Sequence, residues 1–261
     1  MTILRLSKRA LSIIALASLG FAIAFSLSVF FQEIMTPSSE HAAFSQPPNW
    51  QQASERLESY PASRNISKQS PLTDPTDPTP EMVTFFERRT HEHIDRVRHN
   101  LIALASLPSY SKAILDRGEI HDKSKFVPPE RLPYIWLTEF HRRRQNGDAF
   151  TYPTGVEEQV KAAIHHHVTT NRHHPEFHAS PDDMSDIDLI EMVCDWTAIA
   201  QELGENGGSA RQWADTAIGN RQHFSFSEVK KQFIYRVIDD LDRQLAVLSK
   251  ISIDSTAIFH Y

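Results

Sequence analysis

The chain has 261 residues, a net charge of −6 and a pI near 6.1, so it lacks the basic field that draws a protein to duplex nucleic acid. One cysteine, Cys194, excludes an intrachain disulfide. Hydrophobic content of 40% and charged content of 23% fit a globular protein, and about 180 residues remain beyond the atypical N-terminal stretch, the size of one ordinary domain.

Arg5, Lys8 and Arg9 precede an uncharged run from Ala10 to Phe31. As a helix this run is roughly 33 Å long, enough to cross a bilayer core. Basic residues before it, with Glu33 and Glu40 after it, predict a single-pass membrane anchor through residues 10–31 and an exported (periplasmic or extracellular) C-terminal domain. The competing reading is a cleaved signal peptide, with Ala22-Ile23-Ala24 as a small-x-small site. Residues 1–35 are assigned to the anchor or signal, and residues 36–80, rich in Pro, Ser, Gln and Thr, to a disordered linker.

From residue 81 to about 250 the periodicity is helical. Val83, Phe86, Thr90, Ile94, Val97, Leu101 and Leu104 form one stripe on a helix over 81–107. A shorter helix follows over 110–117, ended by Gly118. Pro128-Pro129 opens a helix to about Gln145, and Thr154 or Gly155 starts another that reaches about Thr169. Further helices are expected over 185–203, near 210–217, and after Ser225, where Ser225-Phe226-Ser227-Glu228 fits a capping box. No run demands a strand, so the domain is expected to be an all-α bundle of six to seven helices.

Chemistry concentrates in three stretches. His121-Asp122 offers a nitrogen beside a carboxylate that can bridge two metals, with Lys125 one turn on. As a bare dipeptide it is also what a helix cap or surface pair looks like. Residues 165–176, HHHVTTNRHHPE, hold five histidines. Val160, Ala163 and Ile164 place His167 on the buried face as a ligand candidate, while His165 and His166 fall at the rim. His173 and His174 sit in the turn, and spacing does not choose between them. In helix 185–203, Asp188, Glu191 and Asp195 share a face. Carboxylates one turn apart repel on a surface helix and suit a cation better; Asp195 is the ligand candidate and Glu191 a supporting or proton-handling group. The first helix offers His91, His93 and His99, and helical projection leaves His91 and His93 open.

Taken together, these stretches resemble the HD-domain superfamily of metal-dependent hydrolases. The sequence is similar in more detail to an uncharacterised HD-like family with H-I-x-x-V, H-D-x-S-K-F, N-x-H-H-P-E and E-M-x-x-D-W motifs. Here these read His93-Ile94-Asp95-Arg96-Val97, His121 to Phe126, Asn171 to Glu176 and Glu191 to Trp196. The resemblance selects His93 over His91. It implies a first metal on His93, His121, Asp122 and Asp195, and a second on His167 with His173 or His174, bridged by Asp122. This order is similar to HD-GYP phosphodiesterases, although no GYP string occurs, and to myo-inositol oxygenase. The resemblance implies an HD-like fold and hydrolysis of a phosphomonoester or phosphodiester in a phosphorylated small molecule or nucleotide. Lys125, assisted by Arg142 or Arg172, would hold the phosphate, and Glu191 or a spare histidine would handle a proton. One or two ions of Mn, Fe, Co, Ni or Zn suit such mixed ligands. The alternatives are a di-iron oxygenase with the same ligand order, and a non-catalytic domain with a structural metal.

Overall fold

A computed structural model describes residues 76–204, 206–219 and 224–257. The chain divides between Asp77 and Pro78 into two units, and all of the described helices belong to the second, Pro78–Tyr261. Seven α-helices and several short 3₁₀ turns make it up, with no strand among the described residues.

The first helix, α1 (Pro80–Ala105), starts where Thr79 accepts a hydrogen bond from the Met82 amide and Pro80 fills the first helical position. The expected stripe is buried: Phe86, Val97, Leu101 and Leu104 are fully enclosed. Next comes α2 (Leu115–Ile120), which runs through Gly118 instead of ending there. The glycine serves a close helix approach, because a Cβ at this position would lie 3.0 Å from Arg98 Cγ and 3.2 Å from Leu101 Cδ1. The third helix, α3 (Arg131–Gln145), starts after the Pro128-Pro129 pair rather than at it. Its own Pro133 lies in the first turn, where an amide would have no intrahelical partner.

Helix α4 (Val156–Thr170) begins at Gly155, whose φ of 81° makes the sharp entry. Helix α5 (Asp186–Leu203) has a capping box between Ser185 and Asp188. It is enclosed on nearly every side from Asp188 to Ala198, as expected of a core helix. Its Cys194 is fully buried, and the Cys194 carbonyl accepts a hydrogen bond from Asn100 of α1 at 3.1 Å. The short α6 (Arg211–Ala214) leads into α7 (Glu228–Ala257). Here the cap is Ser227, which accepts from the Lys230 amide, and not the expected Ser225. Ile234, Val237, Ile238 and Leu241 of α7 close the core against α1 and α5. Because α1 packs against α2, α3, α5 and α7 at once, it is the axis around which the site forms.

One expectation is corrected. The fold was to include an N-terminal transmembrane helix, but among the described residues no helix is long and apolar enough to cross a membrane. Residues 10–31 and the linker to residue 75 lie outside the described residues. The membrane contact, the single-pass anchor and the exported placement rested on uncharged length and flanking charge and are withdrawn.

Candidate metal centre

Four separated segments bring their polar side chains to one buried place. His93 comes from α1, His121 and Asp122 from the turn after α2, His167 from α4 with His173 and His174 just beyond it, and Glu191 and Asp195 from α5. All but His174 are at least nine-tenths buried. Burial of so many ionisable groups is costly unless they neutralise one another or hold a cation.

The first locus is a ring of atoms around His93 Nε2. Asp195 Oδ1 lies 3.0 Å from it, His121 Nε2 3.4 Å and Asp122 Oδ2 3.5 Å. His121 Nε2 is in turn 3.7 Å from both carboxylate oxygens. Donor atoms that share a transition ion at about 2.1 Å lie roughly 3.0–3.4 Å apart, so this ring fits one. The orientation of His121 is fixed from behind. Its Nδ1 lies 2.9 Å from Glu191 Oε1, an acceptor, so Nδ1 carries the proton and Nε2 faces the ring. Glu191 is itself gripped through Oε2 by Arg117, at 2.5 Å.

The second locus lies on the other oxygen of the same carboxylate. His167 Nε2 is 3.2 Å from Asp122 Oδ1, and His173 Nε2 is 3.8 Å from it. His167 Nδ1 sits 2.8 Å from Glu130 Oε2, which assigns the proton to Nδ1. In the tautomer with its proton on Nδ1, His167 Nε2 and Asp122 Oδ1 face each other as two acceptors. Asp122 Oδ1 and His174 Nε2 are both buried without a hydrogen-bond partner. Each such orphan costs about 1–3 kcal/mol. Lone pairs aimed at one another in a buried space fit a cation between them. His167, His173 and His174 can indeed hold an ion together, as can His93 with His121 and Asp122, and His121 with His173 and Glu191.

Asp122 is shared because of its backbone. Its φ of 56° and ψ of 11° put it in the left-handed region, alone among the described non-glycine residues. This turn presents one oxygen to each locus. Lys125, one turn later, places Nζ 2.6 Å from Asp122 Oδ2 and 5.2 Å from the centre of the Tyr134 ring.

The electrostatics follow from this packing. For His121, burial disfavours the cation, but Asp122, Asp195 and Glu191 outweigh it and push the pKa up to about 10. Burial opposes ionisation of Asp122 and Asp195 too; Lys125 and the histidines nevertheless hold Asp122 well below the usual carboxylate range, and His121 and His93 do so for Asp195. Burial, followed by the neighbouring histidine charges, pushes His174 far down, and burial with His121 lowers His173. The shifts of His173 and His174 favour the neutral imidazole that a metal ligand requires, whereas His121 would give up a proton to bind an ion. Glu191 is held at about 2: burial would raise it, but hydrogen bonds with His121 and His173 prevail. It stays a carboxylate at neutral pH, which suits orientation better than proton donation.

The structure thus brings together His93, His121, Asp122, Lys125, His167, His173, His174, Glu191 and Asp195. His173 and His174 both belong to the cluster, so the choice between them falls away. His91 does not belong: it is exposed, with its ring tilted against Phe126 at 4.7 Å. Arg142, at the far end of α3, is tied to Glu139 of the same helix and to Glu81 of α1. Arg172 is locked onto Asp188 through two hydrogen bonds, at 2.9 and 3.1 Å. Sequence reasoning missed Glu130, Arg117 and Ser124. Glu130 follows Pro128-Pro129 in an otherwise polar turn, and nothing local marks it as fully buried.

The Asp188 clamp fixes the turn that carries His173 and His174. Asp188 accepts from Arg172, Ser185 and the Ser185 amide, and Arg117 lies 3.5 Å away. Burial opposes its ionisation, yet these partners hold its pKa below the ordinary aspartate value. Its stabilisation is therefore present above about pH 4 and is lost as pH falls through the lower folded value. Asp188→Asn is expected to cost about 1–3 kcal/mol at neutral pH. Urea midpoints measured from neutral to strongly acid pH should show the deficit shrinking below about pH 4.

No curated protein and no solved structure matches the chain. The family found is described as one of unknown function, not as an HD-domain family, so the HD-domain assignment is corrected to a likeness in residue order. Residues 82–240, from early α1 to most of the core-facing part of α7, match the Family of unknown function (DUF5662), and the chain belongs to that family.

Proposed function

We propose that this domain is a metal-dependent phosphoric ester hydrolase that acts on phosphomonoesters or phosphodiesters. The observation that carries the reading is the shared carboxylate: Asp122 faces one group of ligands with each oxygen, and a partly exposed lysine ammonium stands 2.6 Å from it. The order of the residues, His93, His121-Asp122, His167, His173-His174 and Asp195, supports it as well, being similar to that of HD-type hydrolases. His93, His121, Asp122 and Asp195 would hold one ion, and Asp122, His167, His173 and His174 another. Divalent ions in such a centre supply Lewis acidity and a water acidified enough to attack near neutral pH.

The chain's own residues supply the rest. Lys125 places a cation at the edge of the centre, where a non-bridging phosphoryl oxygen can take over its ion pair with Asp122. The Tyr134 ring beneath the ammonium limits how far it swings. Glu191, anchored by Arg117, keeps the His121 and His173 rings aligned through their Nδ1 atoms.

The test is phosphate release from a panel of phosphomonoesters and phosphodiesters by the full-length protein supplied with Mn²⁺ or Zn²⁺. Metal-dependent release is expected. Oxygen consumption with a polyol and no phosphate release from any ester would overturn the reading in favour of oxygenase chemistry.

A further inference from the structure

The two loci differ in where their negative charge comes from. The first locus has two carboxylate ligands of its own cluster, Asp122 and Asp195. The second has three imidazoles and only the far oxygen of Asp122. Behind it stands Glu130, with no exposed surface. Oε2 of Glu130 accepts from Ser124 Oγ and His167 Nδ1, each at 2.8 Å, and Oε1 lies 2.8 Å from His166 Nδ1. Asn171 reinforces this corner, donating to Ser124 Oγ at 3.2 Å and to the His167 carbonyl at 2.8 Å. Glu191, which braces the first locus, has its charge met by Arg117. No lysine or arginine lies within ion-pair distance of Glu130 among the described residues; its ion-pair partners there are His166 and His167.

We infer that Glu130 is the positioning residue of the second locus: it fixes His167 with Nε2 toward Asp122, supplies the charge that locus lacks, and thereby sets the affinity for the second ion alone. This rests on the metal-centre reading above. Glu191 cannot serve one locus alone, since it contacts both His121 and His173. Apart from Ser124, the side-chain partners of Glu130 among the described residues are histidines of α4, so it can act on one ion without the other.

Glu130→Gln keeps the shape and an acceptor oxygen while removing the charge. The experiment is calorimetric titration of the metal-stripped full-length protein with Mn²⁺, wild type beside Glu130→Gln and Glu191→Gln, with thermal melts of each. Wild type is expected to bind two ions in two affinity classes. Glu130→Gln should weaken the second class about 10–100-fold and leave the first unchanged, whereas Glu191→Gln should weaken both. If Glu130→Gln left both classes as in wild type, or weakened both in parallel with a lower melting temperature, the inference would be overturned. A wild type that binds one ion also overturns it, with the first locus intact. A wild type that binds none removes the metal centre itself.

Discussion

Asp122→Asn is expected to lower divalent-metal affinity at both loci by more than about 100-fold, beyond what loss of a merely supporting residue does. The reason is that one carboxylate serves both. Asp122 Oδ2 lies in the ring with His93 and His121, and Oδ1 faces His167 and His173. An amide keeps one weak acceptor and turns the other position into a donor, aimed at imidazole nitrogens or at the ion itself. Asn is the informative replacement because the backbone here has φ 56°. Asn tolerates the left-handed region at least as well as Asp, whereas Ala does not. A loss seen with the Asp122→Asn variant therefore reports on the carboxylate and not on the turn. Metal content after dialysis, beside the melting curve, checks it. Two equivalents retained by Asp122→Asn would mean that the cluster holds ions in some other way.

Lys125→Met is expected to do the opposite: metal stays and turnover falls. Met keeps an unbranched apolar stem of similar length and removes the ammonium, and with it the cation–π contact to the Tyr134 ring. What is lost is the charge proposed to meet a substrate phosphoryl group, and such a contact is worth about 10²–10³ in turnover. Removing the ammonium also frees Asp122 Oδ2 from its 2.6 Å ion pair, so metal affinity should rise or stay level. Steady-state hydrolysis and metal titration on one preparation separate the two effects. A variant that lost metal along with activity would show that Lys125 supports the centre rather than the substrate.

Much of the fold was legible because its helices are amphipathic in the ordinary way. The stripe on α1, with Phe86, Val97, Leu101 and Leu104, and the one on α7, with Ile234, Val237, Ile238 and Leu241, lie where the periodicity puts them. The ends were less legible. Gly118 looks like a stop, but it is a contact surface for Arg98 and Leu101, and only the packing of α2 on α1 reveals that. The uncharged run at residues 10–31 was read as a membrane helix from its length and flanking charges, and no described helix supports it. In the centre, the candidate ligands stood out because their side-chain types are unusual at buried helix positions. Glu130 and Arg117 did not, because an acid or a base in a polar stretch is ordinary until its tertiary partner is known. Spacing left His91 and His93 open for a similar reason. Both border the α1 stripe, and it is the approach of α5, with Asp195, that encloses His93 alone.

Cys194 has a use that its burial creates. It is the chain's one cysteine, fully enclosed on α5, next in sequence to Asp195, and its carbonyl is tied to Asn100 of α1. Burial, helped by the Glu191 and Asp195 charges, keeps the thiol far above its ordinary pKa, so it is almost never a thiolate in the closed protein. A thiol reagent can therefore react only with molecules in which α5 has parted from α1, and that parting also takes Asp195 away from His93. The alkylation rate becomes a clock for opening of the centre. Every ion that ties α1 to α5 should slow that clock in proportion to its affinity.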